Sequence, residues 1–487
     1  MLQTISDYWP HILVVLSILL GPPAAIHATM TKAEVRAAIG WVGVILLSPI
    51  IGAAIYYAFG VNRIHRKTLT LQRAGPITQK GRHHPASYDI ADETVHARYG
   101  GALAAMKHLG DNVGRFPLTS GNRIELLESG DVAYEAMLAA IGSAKRSILL
   151  ETYIFDRDGM GVRFVEALSV ATARGVDVHV LIDAVGARYS TPSIVPSLRH
   201  AGVSVRVFNG NIIMGLRLPY ANLRTHRKIL VIDGQIAFTG GLNIRSDFTS
   251  EFAGELVAKD THFRVAGPIV GDLFHIAYED WRFSGGEALD GDAWRIEPPK
   301  AEPGTELMAR VVPSGPDKSI ETNLRMLMGA ISIAKSHIRI MSPYFLPERD
   351  LISALVTAAR RGVRIDIVVP GTNNLMLVDL AMTAQFDQLL TAGCRIWRSS
   401  GSFNHSKLTV VDGVWSYIGS SNFDPRSLRL NFEIDIEVFD TFFAAAIEAR
   451  IGAVLKTAEA VDLHALRARP FSRRLIERIT WLGSPYL

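Results

Sequence analysis

Residues 225–234 read THRKILVIDG and residues 404–413 read NHSKLTVVDG, nearly the same phrase 179 positions apart. The agreement runs on beyond the phrase. From His226, Lys228 lies at +2, Asp233 at +7, Gly240 at +14 and Asn243 at +17; from His405, the residues Lys407, Asp412, Gly419 and Asn422 stand at the same offsets. A surface loop has no reason to keep that register twice, whereas an active site assembled from two equivalent halves does. The flanks repeat as well. IGSAKRSI (141–148) returns as ISIAKSHI (331–338), ETYIFDRD (151–158) as SPYFLPER (342–349), and ARGVDVHVLID (173–183) as RRGVRIDIVVP (360–370). A period this long marks a duplicated domain rather than a solenoid.

Within each copy, helical patterns alternate with apolar strands, as in 132–155 and 161–186. That alternation predicts an α/β fold: two similar domains, each a mainly parallel or mixed sheet flanked by helices, related by a pseudo-twofold axis. The Pro-, Gly- and acid-rich stretch 284–306 separates them, giving domains over 86–300 and 301–487.

The first 85 residues read differently. Residues 38–60 carry no charge over 23 positions, enough to span a hydrocarbon core of about 30 Å with some tilt. Residues 12–28 are also uncharged, interrupted by Pro22–Pro23, and read as a first, kinked span. Two transmembrane helices therefore precede a basic linker, in which Arg63, Arg66, Lys67, Arg73, Lys80 and Arg82 stand without an acid. Positive charge stays in the cytoplasm, so the large C-terminal part is expected on the cytoplasmic side of a multi-pass inner-membrane protein. Ser48 and Gly52 have the small-residue spacing of a packed helix pair. The tail from 465 mixes Arg with Leu, Ile, Phe and Trp, fitting either a packed terminal helix or an interfacial membrane contact.

The single cysteine, Cys394, excludes an intrachain disulfide and every multi-cysteine metal site. His83–His84 lie in a polar linker and read as solvated. A formal charge of only +4 argues against nucleic acid as partner, and the basic residues beside the apolar spans point to anionic lipid instead. Nothing in the composition bears on oligomeric state, which leaves room for a homo-oligomer.

The repeated motif has a chemical reading. In KILVIDG (228–234) residues two apart share a strand face, so His226 and Lys228 project together. Asp233–Gly234 and Asp412–Gly413 read as turns ending each strand, which makes the two Asp turn cappers before catalytic acids. Two His, two Lys and two Asn (Asn243 and Asn422), with Ser420 beside the second Asn, suit a phosphodiester. Ammonium and amide groups hold the non-bridging oxygens while one imidazole attacks phosphorus and the other protonates the leaving oxygen. No carboxylate cluster accompanies them, so neither metal nor other cofactor is expected.

The chain resembles the phospholipase D superfamily, and within it is similar to the bacterial cardiolipin synthases. The resemblance rests on NRIHRK, THRKILVIDG, FTGGLNI and IGSSNFDPRSLRLNFE, with SPYFLPE, VVPSGPD and a terminal SPYL, and covers nearly the whole chain. It implies that His226, Lys228, Asp233, His405, Lys407 and Asp412 form the catalytic set. One His becomes a phosphohistidine, implied to be His226, and the other serves as general acid and then base. It also implies an acid that orients each imidazole: by position Asp260, 34 residues after His226, and Glu433, 28 after His405. Glu251 and Glu255 are rivals for the first role. The implied activity joins two phosphatidylglycerol molecules into cardiolipin and glycerol. A membrane-anchored phospholipase D that hydrolyses, a transferase using an acceptor such as phosphatidylethanolamine, and a non-catalytic membrane scaffold are the alternatives.

Overall fold

The computed structural model describes residues 2–32, 34–61, 84–209, 223–297, 307–317 and 319–484. The basic linker and the later part of the 284–306 stretch, with His83, lie outside the described residues. The N-terminal unit and the remainder are two compact bodies.

The N-terminal unit differs from the expected pair of spans. Its first helix, α1, runs unbroken over Leu2–Thr31 with Pro10, Pro22 and Pro23 inside it, and Tyr8–Thr31 is the one described helix long and apolar enough to cross a membrane. The stretch expected as a single second span is divided into α2 (Val35–Leu47) and α3 (Pro49–Ile55). The cause is Pro49. A proline disfavours helical geometry in the residue before it and suits the first position of a new helix, and Ser48 accordingly sits at φ −145°, ψ 83°. Ala24, Ala28, Ile45, Ala53 and Tyr56 form the small core of this unit. Gly52 lies against Val44 and Ile45 of α2, while the close approach to α1 occurs where Gly21 meets Pro49.

In the larger unit the strands are β1 (Thr119–Leu127), β2 (Ser147–Thr152), β3 (Asp177–Asp183), β4 (Ser204–Phe208), β5 (Arg224–Thr225), β6 (Ile229–Ile232), β7 (Ile236–Gly240) and β8 (His262–Ala266). The second series is β9 (Leu307–Ser314), β10 (His337–Met341), β11 (Arg364–Pro370), β12 (Arg395–Ser399), β13 (Leu408–Val411), β14 (Trp415–Gly419), β15 (Asn431–Phe439) and β16 (Glu459–Ala460). Among the described residues they join into one sheet. The order β4-β3-β2-β6-β7-β8-β1 of the first half is matched by β12-β11-β10-β13-β14-β15-β9 of the second, and β1 pairs antiparallel with β9 at the join. Read inward from β4 and from β12 the order is the same, with β16 added outside β12 alone.

The sheet is mixed, not largely parallel. In each half three strands are parallel, β2-β3-β4 and β10-β11-β12; the other pairings are antiparallel except that of the short β5, which runs parallel to β15. The central parallel strand of the first half, β2 (SILLET), is buried at every position, as expected for a strand covered on both faces. Helices seal those faces, started by side-chain caps such as Asp158 on the Gly161 N–H at 2.9 Å and Asp440 on the Phe443 N–H at 2.8 Å. Two apolar cores form, one around Phe155, Phe164 and Phe238, the other around Phe345, Phe386 and Trp415, the latter also taking in Val95, Met106 and Leu118 from the chain ahead of β1.

Candidate active site

Both histidines stand just ahead of a strand, where the chain crosses to the other half. β5 pairs in parallel with the start of β15, Arg224 beside Asn431 and Thr225 beside Phe432. The His226 N–H then donates to the Phe432 carbonyl at 2.8 Å. This places the next residue of β15, Glu433, under the imidazole, and His226 Nδ1 meets Glu433 Oε2 at 2.9 Å. The second half repeats the arrangement. Lys259 bridges to Asn404, the His405 N–H donates to the Lys259 carbonyl at 2.7 Å, and His405 Nδ1 meets Asp260 Oδ2 at 2.8 Å.

The pairing is therefore crossed. Sequence position assigns Asp260 to His226 and Glu433 to His405; the structure exchanges them, because the residues just ahead of each histidine, β5 in one case and Asn404 in the other, pair with residues beside the acid of the opposite half. The rivals drop out: Glu251 and Glu255 are exposed, and Glu251 pairs with Arg163.

With both Nδ1 atoms committed to carboxylates, Nε2 is the free nitrogen of each ring. His226 and His405 both line a cavity of about 760 Å³, together with Asn243, Asn422, Tyr153 and Tyr344. The tyrosines occupy matching positions of the ETYIF and SPYFL repeats. Tyr153 packs on His226 with ring centroids 5.1 Å apart, and Tyr344 meets His405 at 6.1 Å. The repeat itself was the available signal for these rings, since only a site-facing residue needs to recur beside each imidazole.

Burial sets the charge states. It pushes the His405 imidazole down to about 4, with Lys407 adding to the effect and Asp260 opposing it; it also lowers His226, where Glu433 opposes and Lys228 adds. Burial brings Lys228 down to about 7 and Lys407 to about 8. It works the other way on the carboxyls. Glu433 is outweighed by His226, Lys228 and Ser420 and stays below its usual range, as Asp260 does beside His405, Lys407 and the Thr261 N–H. An anion bound beside them would offset the desolvation of the lysines by giving them a counter-charge. Lys228 Nζ donates to the His226 carbonyl at 2.6 Å, and Lys407 Nζ makes the same bond to the His405 carbonyl. Each ammonium thus sits on the strand that carries its histidine.

Acid should destabilise the fold. His405 and His262, both brought by burial to about 4, stay neutral in the folded chain. Between pH 6.5 and 4 the unfolded chain binds protons there that the folded chain does not. Stability present above pH 6.5 is therefore lost as pH falls, by about 2 kcal/mol per histidine at pH 5. Thermal unfolding at pH 7 and pH 5 checks this; an unchanged midpoint would contradict it.

Three predicted site residues have other work. Ser420, expected to bind substrate, is fully buried; its hydroxyl donates to Glu433 Oε2 at 2.6 Å and accepts from the Ile434 N–H at 2.9 Å. It holds the carboxylate that orients His226. Asp233 and Asp412, placed by the resemblance in the catalytic set, lie past the far ends of β6 and β13. Asp233 accepts from the N–H groups of Lys145, Arg146 and Ser147, and Asp412 from those of Lys335, Ser336 and His337. Both adopt a left-handed backbone, φ 54° and 52°. They tie the strand end to the start of β2 or β10, the capping role read from the Asp–Gly turns. Asp412→Ala should cost about 1–3 kcal/mol of stability by leaving those donors unpaired, with turnover per folded molecule unchanged. A melting curve and an active-fraction assay separate the two.

Gly240 and Gly419 recur for a steric reason. At φ 145° and 157° they bring backbone so close to β8 and β15 that an added Cβ would sit 2.7 Å from His262 Nδ1 or 2.4 Å from Asp435 Oδ1. The asparagines three residues on enter the cavity from there. Asn243 Oδ1 accepts from the Ile154 N–H at 3.2 Å, and Asn422 Nδ2 reaches Ser427 Oγ at 3.4 Å.

Behind the site, Arg227 donates to the Glu433 carbonyl at 3.0 Å and pairs with buried Asp280. Neither it nor Arg224, Arg245 and Arg426 in the cavity wall stood out in the sequence, because none recurs as Arg in the other copy.

A family model described as cardiolipin synthase, PLD-like domain, matches residues 137–260 and again 327–454. The chain belongs to this family. Cardiolipin synthase of Alkalihalophilus pseudofirmus is 32% identical over 454 residues, 92% of this chain and 88% of that protein. Cardiolipin synthase A of Pseudomonas fluorescens is 31% identical over 485 residues, 99% and 100% of the two. A crystal structure of phosphatidylserine synthase from Haemophilus influenzae superposes with a TM-score of 0.58 at 16% identity, covering 78% of this chain and 100% of that one, and shows the shared fold. Each matched segment of the cardiolipin synthase model contains one histidine and the acid that orients the other, so neither repeat holds a complete His–carboxylate pair.

Proposed function

We propose that the enzyme transfers a phosphatidyl group from one phosphatidylglycerol to a hydroxyl of a second, giving cardiolipin and glycerol. The observation that carries this reading is the convergence of two oriented imidazoles, each with a buried lysine beside it, on one cavity. His226 Nε2 attacks phosphorus; the bond to the departing glycerol oxygen breaks as His405, which takes up a proton at Nε2 once the bound phosphodiester anion offsets its burial, passes that proton to the oxygen. The acceptor hydroxyl then gives its proton to His405, its oxygen attacks phosphorus, and the phosphorus–nitrogen bond to His226 breaks. Lys228, Lys407, Asn243 and Asn422 carry the charge that builds on the non-bridging oxygens.

The attack by His226 rests on the resemblance to superfamily members that use the N-terminal motif. The neighbouring charges favour the opposite assignment, since Glu433 is the leading influence after burial on His226, and Lys407 on His405. His405 as nucleophile is therefore the second reading.

An acceptor bearing its own phosphate is supported over water by Arg224, Arg245 and Arg426 in the cavity wall. The volume of about 760 Å³ lies in the upper part of the range for small-molecule sites, about 300–1,000 Å³. The two halves, 86–300 and 301–487, act as one catalytic body in this scheme. Two membrane spans, with α2 and α3 together forming the second, would hold that body on the cytoplasmic side; a homo-oligomer is compatible with it. Purified protein given labelled phosphatidylglycerol alone, with chelator present, should yield cardiolipin and glycerol. Phosphatidic acid as the product would make it a hydrolase, and the absence of turnover a scaffold.

A further inference from the structure

The helix Phe471–Leu482 has its sides reversed for a protein in water. Phe471, Leu475, Ile476, Ile479 and Leu482 are 75%, 44%, 54%, 58% and 72% exposed, while its one buried residue is Glu477, which pairs with Arg469 and Arg473. Positions 471, 475, 479 and 482 form a single stripe at helical spacing. The stripe is flanked by Arg473, Arg474 and Arg478.

This helix packs against the helix Met376–Thr383. The latter begins beside a second exposed apolar group, Leu375, Met376 and Leu377, at 47%, 72% and 52%. Leu375 also lines the catalytic cavity, as does Leu256, which is 85% exposed. The apolar stripe and the mouth of the cavity are thus joined through one helix.

We propose that the cavity rim around Leu256 and Leu375–Leu377 and the outer stripe of the C-terminal helix form one lipid-contacting face that seats the site's mouth in the interface of an anionic bilayer. The arginines beside the stripe select the occupant: a zwitterionic or protein surface needs no such row, whereas anionic headgroups pair with it. The inference rests on the reading that the substrate is a membrane lipid. It goes further, because it lets a double-chained lipid bring its headgroup into the cavity while its acyl chains stay in the bilayer.

The test uses the full chain in vesicles of phosphatidylglycerol and phosphatidylcholine carrying an acyl-chain nitroxide quencher. The native thiol, Cys394, is buried and pushed up to about 12, so an introduced cysteine takes a fluorophore selectively. Labels at Leu256→Cys and Leu482→Cys should be quenched at least about threefold more than one at Phe442→Cys. Phe442 is 85% exposed but lies past the end of β15 remote from Glu433. Equal quenching at the three sites overturns the proposal, as does protection of position 482 by a second copy without quenching.

Ile479→Asp should lower turnover about tenfold on vesicles and leave it unchanged on detergent-dispersed short-chain phosphatidylglycerol. An equal loss on both would assign the helix a structural role and overturn the proposal. Quenching requires no turnover, so a different acceptor or a hydrolytic outcome would leave this result intact.

Discussion

Glu433→Gln should lower turnover by about 10³–10⁴-fold with the fold intact, and Asp260→Asn should do the same. Each carboxylate accepts the Nδ1 proton of its histidine and so leaves Nε2 bare toward the cavity. An amide at that place presents an N–H to Nδ1 as readily as a carbonyl. The ring can then turn to the tautomer that carries its proton on Nε2, where it cannot attack phosphorus or accept from the acceptor hydroxyl. The buried imidazolium that forms during the reaction also loses its counter-charge, and desolvation makes that loss expensive. Ser420→Ala should show a milder form of the defect, since Glu433 keeps His226 and Asn431 as partners at 2.9 and 3.3 Å. Glu251→Gln, on an exposed residue, is the control that should change nothing. Turnover of Glu433→Gln within tenfold of the parent would remove the orienting role.

His226→Ala should abolish both turnover, by roughly 10⁴-fold or more, and covalent labelling from phosphatidylglycerol. His405→Ala should abolish turnover yet accumulate an acid-labile phosphatidyl-enzyme, because attack survives while proton transfer does not. Labelling also separates the crossed pairs from the uncrossed ones. If Glu433 serves the attacking His226, Glu433→Gln blocks the adduct and Asp260→Asn lets it build up. A pairing within each half gives the opposite pattern. Should His405→Ala be the variant that fails to label, the roles exchange, the outcome favoured by the charges around the two rings. No adduct in any variant would exclude the phosphohistidine.

Sequence by itself singled out two matched sets of His, Lys and Asn, though not the arginines of the cavity wall or the place of Ser420. The matched offsets from His226 and His405 identified the imidazoles, lysines and asparagines because strand geometry fixes which side residues two apart share, and the Asp–Gly turns identified Asp233 and Asp412 as caps because a left-handed turn is local. The long repeat determined a duplicated α/β body for the same reason: alternating helix and strand patterns are properties of short windows. Pairing across the duplication is not local. Whether Glu433 meets His405 or His226 depends on β5 lying along β15, and whether two sheets stay separate or merge depends on β1 finding β9; no offset along the chain encodes either contact. Ser420 was misplaced for this reason, since only the fold puts its hydroxyl on Glu433 rather than in the cavity. Charge state belongs to the tertiary structure too. A histidine or lysine carries its ordinary affinity for protons until packing removes water from it, and here that removal leaves neutral imidazoles and weakly held ammonium protons for a phosphodiester to meet.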